Sequence, residues 1–182
     1  MVELDQLINA DTIVLADVSY SSLWVTGFLT ARVAGQRFLT PRGLAGLGWG
    51  FPMALGAKVA VPSKKVVALV GDGGFGHCWP ELETARRMGL SVTVIMLNNG
   101  ILGFQKHAEL VKFGVHTGAV TFAKVNHAAI VRAAGCHGIR VDSLDAHVPA
   151  LKQVQEADGT TLIDVLTSPD AHPPITAFQT VS

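Results

Sequence analysis

The stretch from Val66 to Gly103, VVALVGDGGFGHCWPELETARRMGLSVTVIMLNNGILG, constrains the fold more than any other part of the chain. Val66–Val70 is an apolar, β-branched run with no polar residue, as a strand buried on both faces requires. It ends in Gly71-Asp72-Gly73-Gly74, where glycines let the backbone approach a bulky anion and leave one carboxylate free for a cation. Pro80 suits the start of a helix, where its missing N–H costs little. Leu82, Ala85, Arg86 and Met88 continue at helical spacing, and Gly89 closes that helix. Ser91–Leu97 reads as the next strand, with Asn98-Asn99 at its carboxyl end. Parallel sheets bind ligands at the carboxyl ends of their strands, so Asp72 and Asn99 are expected side by side on one edge. The same letters also suit a plain strand–turn–helix in which Asp72 caps the helix.

A hard cation on a diphosphate fits such an edge. Mg²⁺ takes oxygen ligands and is usually held by one or two protein groups plus phosphate oxygens. Asp72 offers a charged oxygen, Asn99 a neutral one, and the following loop a backbone carbonyl. Turn glycines can direct N–H groups at phosphates. No Gly-Lys-Ser/Thr follows the turn, so it is not read as a P-loop, and it is not read as a dinucleotide-binding turn either. GDGG followed at this distance by NN resembles the thiamine diphosphate signature of the acetolactate synthase, pyruvate decarboxylase and benzoylformate decarboxylase superfamily.

That resemblance implies an α/β fold, a doubly wound parallel sheet flanked by helices, with thiamine diphosphate and Mg²⁺ as cofactors. It implies metal ligation by Asp72, Asn99 and the carbonyl of Ile101. It places Gly73, Gly74 and the N–H groups of Leu102 and Gly103 against the diphosphate. Phe104 and Gln105 would begin a helix that borders the substrate in family members.

The rest of the chain reads as alternating strands and helices. Thr12–Asp17 is the first strand, and Ser19-Tyr20-Ser21-Ser22 follows it. These hydroxyls suit either capping of a helix from Leu23 to Arg32 or a phosphate contact. In the resembled family this turn reads Gly-Gln-His-Gln and touches the diphosphate end of the cofactor, which makes Ser19, Tyr20 and Ser21 binding candidates. Arg37–Pro41 is a short extended piece. Gly43 to Pro52 carries glycine at 43, 46, 48 and 50, so it turns tightly and lets something approach its backbone. Pro52 opens a helix over Met53–Val61. The segment resembles the family's Gly-Leu-Gly-Thr-Met-Gly-Phe-Gly-Leu-Pro. By that resemblance Leu47 is the apolar wedge between the two cofactor rings, and the Ala45 carbonyl accepts a hydrogen bond from the aminopyrimidine. A loop packed into the core is the other reading.

Glu109 to Lys124 has weak periodicity and reads as a mobile or partner-facing loop. A helix over Asn126–Ala134 ends at Gly135, and Gly138–Val141 is a strand. Leu144–Ala157 is a helix with Leu144, Val148, Leu151 and Val154 on one face, and Thr160–Leu166 is a last buried strand. The alternation gives a doubly wound sheet in one domain over residues 1–182. The tail from Ser168 to Ser182 holds three prolines and is expected to lie across a neighbour or be disordered.

Composition narrows the setting. Fourteen basic and fourteen acidic side chains in 182 residues argue against nucleic acid or an anionic membrane as partner. No apolar run approaches the roughly 20 residues of a membrane span. The opening MVELDQLINAD lacks the apolar core of a signal peptide. Cys78 and Cys136 form no metal or disulfide framework, so a cytoplasmic location is expected. The seven histidines do not cluster at ligand spacing. His77, just after GDGG, is kept as a catalytic candidate.

Enzymes of the resembled superfamily hold the cofactor between two domains, and the second supplies a glutamate that promotes loss of the cofactor's C2 proton. The resemblance therefore implies a pyrimidine-binding partner subunit or domain that supplies the catalytic Glu. An α2β2-type heterotetramer is expected if the enzyme is split, and the alternative is a C-terminal piece of a longer chain. The expected reaction is acetolactate synthase-like acyl transfer from a 2-keto acid to a carbonyl acceptor. A 2-keto acid decarboxylase and a non-catalytic regulatory subunit are the alternatives. Simple decarboxylation needs a positioned acid. In pyruvate decarboxylases an acid stands six residues after the metal-binding asparagine, where this chain has Gln105, a catalytic candidate that can hydrogen-bond an acceptor carbonyl but has no proton to give near neutral pH.

Overall fold

The computed structural model describes residues 1–173. Its centre is a six-stranded sheet in the order β2-β1-β3-β4-β6-β5. The strands are β1 (Thr12–Ala16), β2 (Phe38–Leu39), β3 (Lys65–Gly71), β4 (Thr93–Asn98), β5 (His137–Val141) and β6 (Thr161–Leu166). Every neighbouring pair is parallel. Parallel strands need crossovers, and helices covering both faces explain why β1 is buried along its whole length.

Strand alternation divides the core into two layers. Ile13, Leu15, Ala68, Val70, Val94 and Met96 point to one face. There they meet α3 (Gly50–Ala60), α4 (Asp72–Gly76), α5 (Glu81–Arg87) and α7 (His127–Ala133). Val14, Ala16, Leu69, Ile95 and Ile163 point the other way, toward α1 (Val2–Leu7), α2 (Tyr20–Phe28) and α8 (Leu144–Glu156). The register pairs Gly71 with Leu97, so β3 and β4 end level and their next residues share one edge.

Several local expectations change. The second helix starts at Tyr20, not Leu23, because Tyr20, Ser21 and Ser22 are buried in its first turn. Ser22 Oγ donates to the Ser19 carbonyl at 2.9 Å, and no side chain caps the helix. It ends at Phe28, not Arg32, because Asp5 of α1 accepts the Thr30 N–H at 2.7 Å and pairs with Arg32 at 2.7 Å. The GDGG turn is itself the short helix α4.

The segment 109–124 is not a free loop. Helix α6 (Gly103–Phe113) takes its first part and ends at Gly114, whose φ of 72° needs no Cβ. The rest folds back on the Asn99 loop. Leu102 N–H donates to the Val120 carbonyl at 2.8 Å, and Phe122 N–H to the Gly100 carbonyl at 2.9 Å. On α8, Leu151 and Val154 are buried, but Leu144 is 93% exposed and Val148 42% exposed, both lining open space at the sheet's carboxyl edge. The first residues of the tail are tied to α6 by Lys106, through the Pro169 carbonyl at 3.2 Å and Asp170 at 2.6 Å. The expectation for 174–182 falls outside the described residues. No helix among the described residues is long and apolar enough to cross a membrane.

Candidate functional site

The carboxyl edge of the sheet opens into one cavity of about 770 Å³. Gly71, Asp72, Gly73 and Gly74 form one wall, directly after β3. Asn99, Ile101, Leu102 and Gly103 form the next, directly after β4. Ser19, Tyr20 and Ser21 enter from the start of α2, and Leu47 from the Gly-rich loop. Three candidates stand apart. Ala45, His77 and Gln105 are exposed and do not line the cavity.

Asp72 is 6% exposed. Its Oδ2 accepts the Gly100 N–H at 3.0 Å, across from the neighbouring strand, rather than capping a helix. Burial pushes its pKa up, against the pull of the Gly100, Gly73 and Asp72 N–H groups. The buried Asp164 pushes in the same direction. Among the described residues no cationic side chain pairs with Asp72. A buried carboxylate with no counter-charge suits an incoming cation.

Asn99 turns its Oδ1 to the Ile101 N–H at 3.2 Å. Ile101 is held by an antiparallel bridge to Thr121. Asp72 and Asn99 bring a carboxylate and an amide oxygen to this edge, hard oxygen donors of the kind Mg²⁺ takes. Among the described residues no three His, Cys, Asp or Glu gather as a metal site. The edge is also shaped for close approach. A Cβ at Gly103 would fall 3.1 Å from the Tyr20 ring, and one at Gly73 2.9 Å from Leu102 and Phe122. Burial, donor chemistry and glycine packing all fit a magnesium diphosphate.

The two adjacent asparagines divide their tasks. Asn98 points inward and donates to Asp164 Oδ1 at 2.8 Å. Asp164 Oδ2 also accepts from His127 N–H at 3.1 Å and Arg140 Nη1 at 2.9 Å. Asn99, one residue on, therefore faces the cavity from an anchored strand end. Burial holds His127 below the usual imidazole range, and Arg140 adds to that while Asp164 opposes it.

Sequence reasoning passed over two parts of the site. One is the apolar floor from Trp24, Ile95, Leu97 and Val165. The other is Asp17, 1% exposed at the end of β1, whose Oδ2 accepts the Gly48 N–H at 3.0 Å. Their only signals were strand alternation for the first and an acid closing an apolar strand for the second.

Ser19 holds φ 67° and ψ −144°, a conformation that glycine adopts freely and other residues do not. The resembled family has glycine at this place. Ser19→Gly is expected to stabilise the chain by about 1 kcal/mol, strain relief exceeding the added chain entropy. Denaturant unfolding measures this, and an unchanged or lower midpoint would count against the strain.

The family profile described as "Thiamine pyrophosphate enzyme, C-terminal TPP binding domain" matches residues 17–165. The acetolactate synthase large subunit of Lactococcus lactis subsp. lactis is 30% identical over 165 residues, covering 90% of this chain and 28% of its own length. The acetolactate synthase isozyme 2 large subunit of Escherichia coli K12 is 31% identical over 157 residues, with 86% and 28% covered. The thiamine diphosphate-dependent 4-hydroxybenzoylformate decarboxylase of Rhodococcus jostii RHA1 superposes with a TM-score of 0.83 at 25% identity, over 92% of this chain and 31% of that one. The chain thus spans under a third of the length of the curated relatives it matches. By its profile, its sheet and its Asp72–Asn99 edge, the chain belongs to the thiamine pyrophosphate enzymes, as their C-terminal TPP-binding domain.

Proposed function

We propose that this chain is the diphosphate- and Mg²⁺-binding half of a thiamine diphosphate-dependent carboligase that takes a 2-keto acid and passes its acyl unit to a carbonyl acceptor. The observation that carries the reading is Asp72, a buried carboxylate with no ion pair among the described residues, lining the same cavity as Asn99 and Ile101. In this reading Asp72, Asn99 and the Ile101 carbonyl hold the metal. N–H groups of Gly73, Gly74, Leu102 and Gly103 hold the diphosphate, with Ser19, Tyr20 and Ser21 beside them. Leu47 supports the rings. When bound, thiamine diphosphate supplies a carbon nucleophile for the keto-acid carbonyl. Ala45, His77 and Gln105 receive no role, because each lies off the cavity wall.

The acetolactate synthase relatives support carboligation. The Rhodococcus decarboxylase supports the second reading, simple 2-keto acid decarboxylation. A non-catalytic subunit is disfavoured, since it would not need both metal ligands. The activating glutamate is assigned to a pyrimidine-binding partner, either a subunit of an α2β2-type assembly or a domain of a longer protein. Exposed apolar side chains beside the site support such a partner: Leu44 is fully exposed and Trp49 is 61% exposed, both on the Leu47 loop.

Exchange of the cofactor's C2 proton, followed by NMR, tests the reading. This chain with Mg²⁺ and thiamine diphosphate is expected to leave exchange at the free-cofactor rate. Adding the pyrimidine-binding partner is expected to accelerate it by orders of magnitude. Rapid exchange with this chain by itself would remove the partner from the proposal. Products then separate the chemistries: free aldehyde at every acceptor concentration favours the decarboxylase.

A further inference from the structure

Three segments distant in sequence meet at the carboxyl group of Asp17. The residue directly follows β1, and its N–H donates to the Leu69 carbonyl of β3 at 2.9 Å. Its Oδ1 accepts the Val18 N–H at 2.9 Å, and its Oδ2 accepts the Gly48 N–H at 3.0 Å. Three glycines make room around it. A Cβ at Gly74 would fall 2.2 Å from Oδ2, a clash with no escape short of ejecting the carboxyl group. A Cβ at Gly50 would fall 2.9 Å from the Asp17 Cβ and 3.0 Å from its backbone nitrogen. Gly48 has φ +90° and packs so closely on α4 that a Cβ there would fall 2.8 Å from His77 Cβ.

Burying a carboxylate is costly unless every oxygen finds a donor, so space-filling alone would select an apolar residue. Both oxygens have donors here, and both donors are backbone N–H groups of loops at the cavity. Gly48 is the neighbour of Leu47, and Gly74 belongs to the turn that carries Asp72. We propose that Asp17 is a positioning residue: its carboxylate locks the Leu47 loop against the Gly73-Gly74 turn, and so fixes the surface that meets the cofactor's rings without touching the cofactor. This rests on the diphosphate reading above. Asparagine cannot replace the carboxylate, since only one of its two side-chain atoms accepts a hydrogen bond. The other would set an NH₂ against an N–H.

The test separates ring recognition from diphosphate recognition. Calorimetry on the full chain measures binding of Mg²⁺ with thiamine diphosphate, and separately of Mg²⁺ with inorganic pyrophosphate. Asp17→Asn is expected to weaken thiamine diphosphate by about tenfold or more while leaving pyrophosphate within about twofold. Asp72→Ala is expected to lose both. Equal affinities in Asp17→Asn and wild type, or an equal loss of both ligands, would overturn the positioning role. A wild-type chain that binds neither ligand would overturn the diphosphate reading itself, and the role that rests on it. The lock has its own readout in the unsubstituted protein. The Gly48 amide, followed by ¹⁵N NMR, is expected to exchange slowly with solvent. Fast exchange would refute the lock even if Asp17→Asn fails to fold.

Discussion

Asp72→Asn is expected to abolish Mg²⁺-dependent binding of thiamine diphosphate and, in the ligand-free chain, to raise thermal stability at neutral pH. Both effects come from one placement. The carboxylate is buried, and burial raises its pKa more than three backbone N–H groups lower it. The folded chain therefore binds this proton more tightly than the unfolded chain does. Stability must then fall as pH rises from the ordinary carboxylate range through the raised folded value. Above that value the ligand-free protein carries the full penalty of a buried charge. Asparagine removes the charge and keeps an oxygen for the Gly100 N–H, now received at 3.0 Å. The two melting curves should converge as pH drops through the carboxylate range, where Asp72 is neutral in both states. Binding changes the other way. Loss of an outer partner of a metal ligand already costs about 10–100-fold in affinity, and loss of the ligand's charge should cost at least that. Calorimetry and thermal melts read the two effects on the same sample. An Asp72→Asn chain that keeps its Mg²⁺-dependent affinity, or that melts below wild type at neutral pH, would show that Asp72 is not held for a cation.

The parts of the site that lie close in sequence were legible before the structure. Val66–Val70 and Ser91–Leu97 announce themselves as buried strands by their apolar runs. Parallel pairing then brings their carboxyl ends together, and the Gly71–Leu97 register shows them level. Contacts between distant segments were not legible. The 115–124 segment looked loose because its hydrogen-bond partners, Gly100 and Leu102, lie on another loop. Asp17 looked like a polar strand ending, since nothing in its neighbourhood of the sequence points to Gly48 or Gly74. Leu144 and Val148 keep the right period for a buried face, but a period cannot say that the face borders an open cavity there. Gln105 and His77 entered through position in a motif, and side-chain direction decides such cases. Both point to solvent, on α6 and just past α4.

Asp164→Ala is expected to destabilise the chain by about 3–5 kcal/mol, because removing one partner of a buried charge pair leaves the others unsatisfied. Asp164 has no exposure at all and sits on β6 between β4 and β5. It serves three donors on three elements: the Asn98 side chain at 2.8 Å, the His127 N–H at 3.1 Å and Arg140 at 2.9 Å. Arg140 keeps 30% side-chain exposure and can turn back to water. Asn98 and the His127 amide cannot do so easily, since both are buried. Asp164→Asn should cost less, because it keeps the volume and one acceptor. Denaturant unfolding at constant pH gives both values, and a loss below about 1 kcal/mol for alanine would place Asp164 among ordinary surface-like substitutions. The consequence extends beyond stability. Asn98 is the residue before Asn99, and its side chain ties the end of β4 to Asp164 and to the Val125 carbonyl at 3.3 Å. Freeing Asn98 releases the strand end from which Asn99 is presented. Asp164→Ala should therefore weaken Mg²⁺–pyrophosphate binding although Asp164 lines no part of the cavity, and unchanged affinity in the folded variant would show that Asn99 is oriented by its own loop alone.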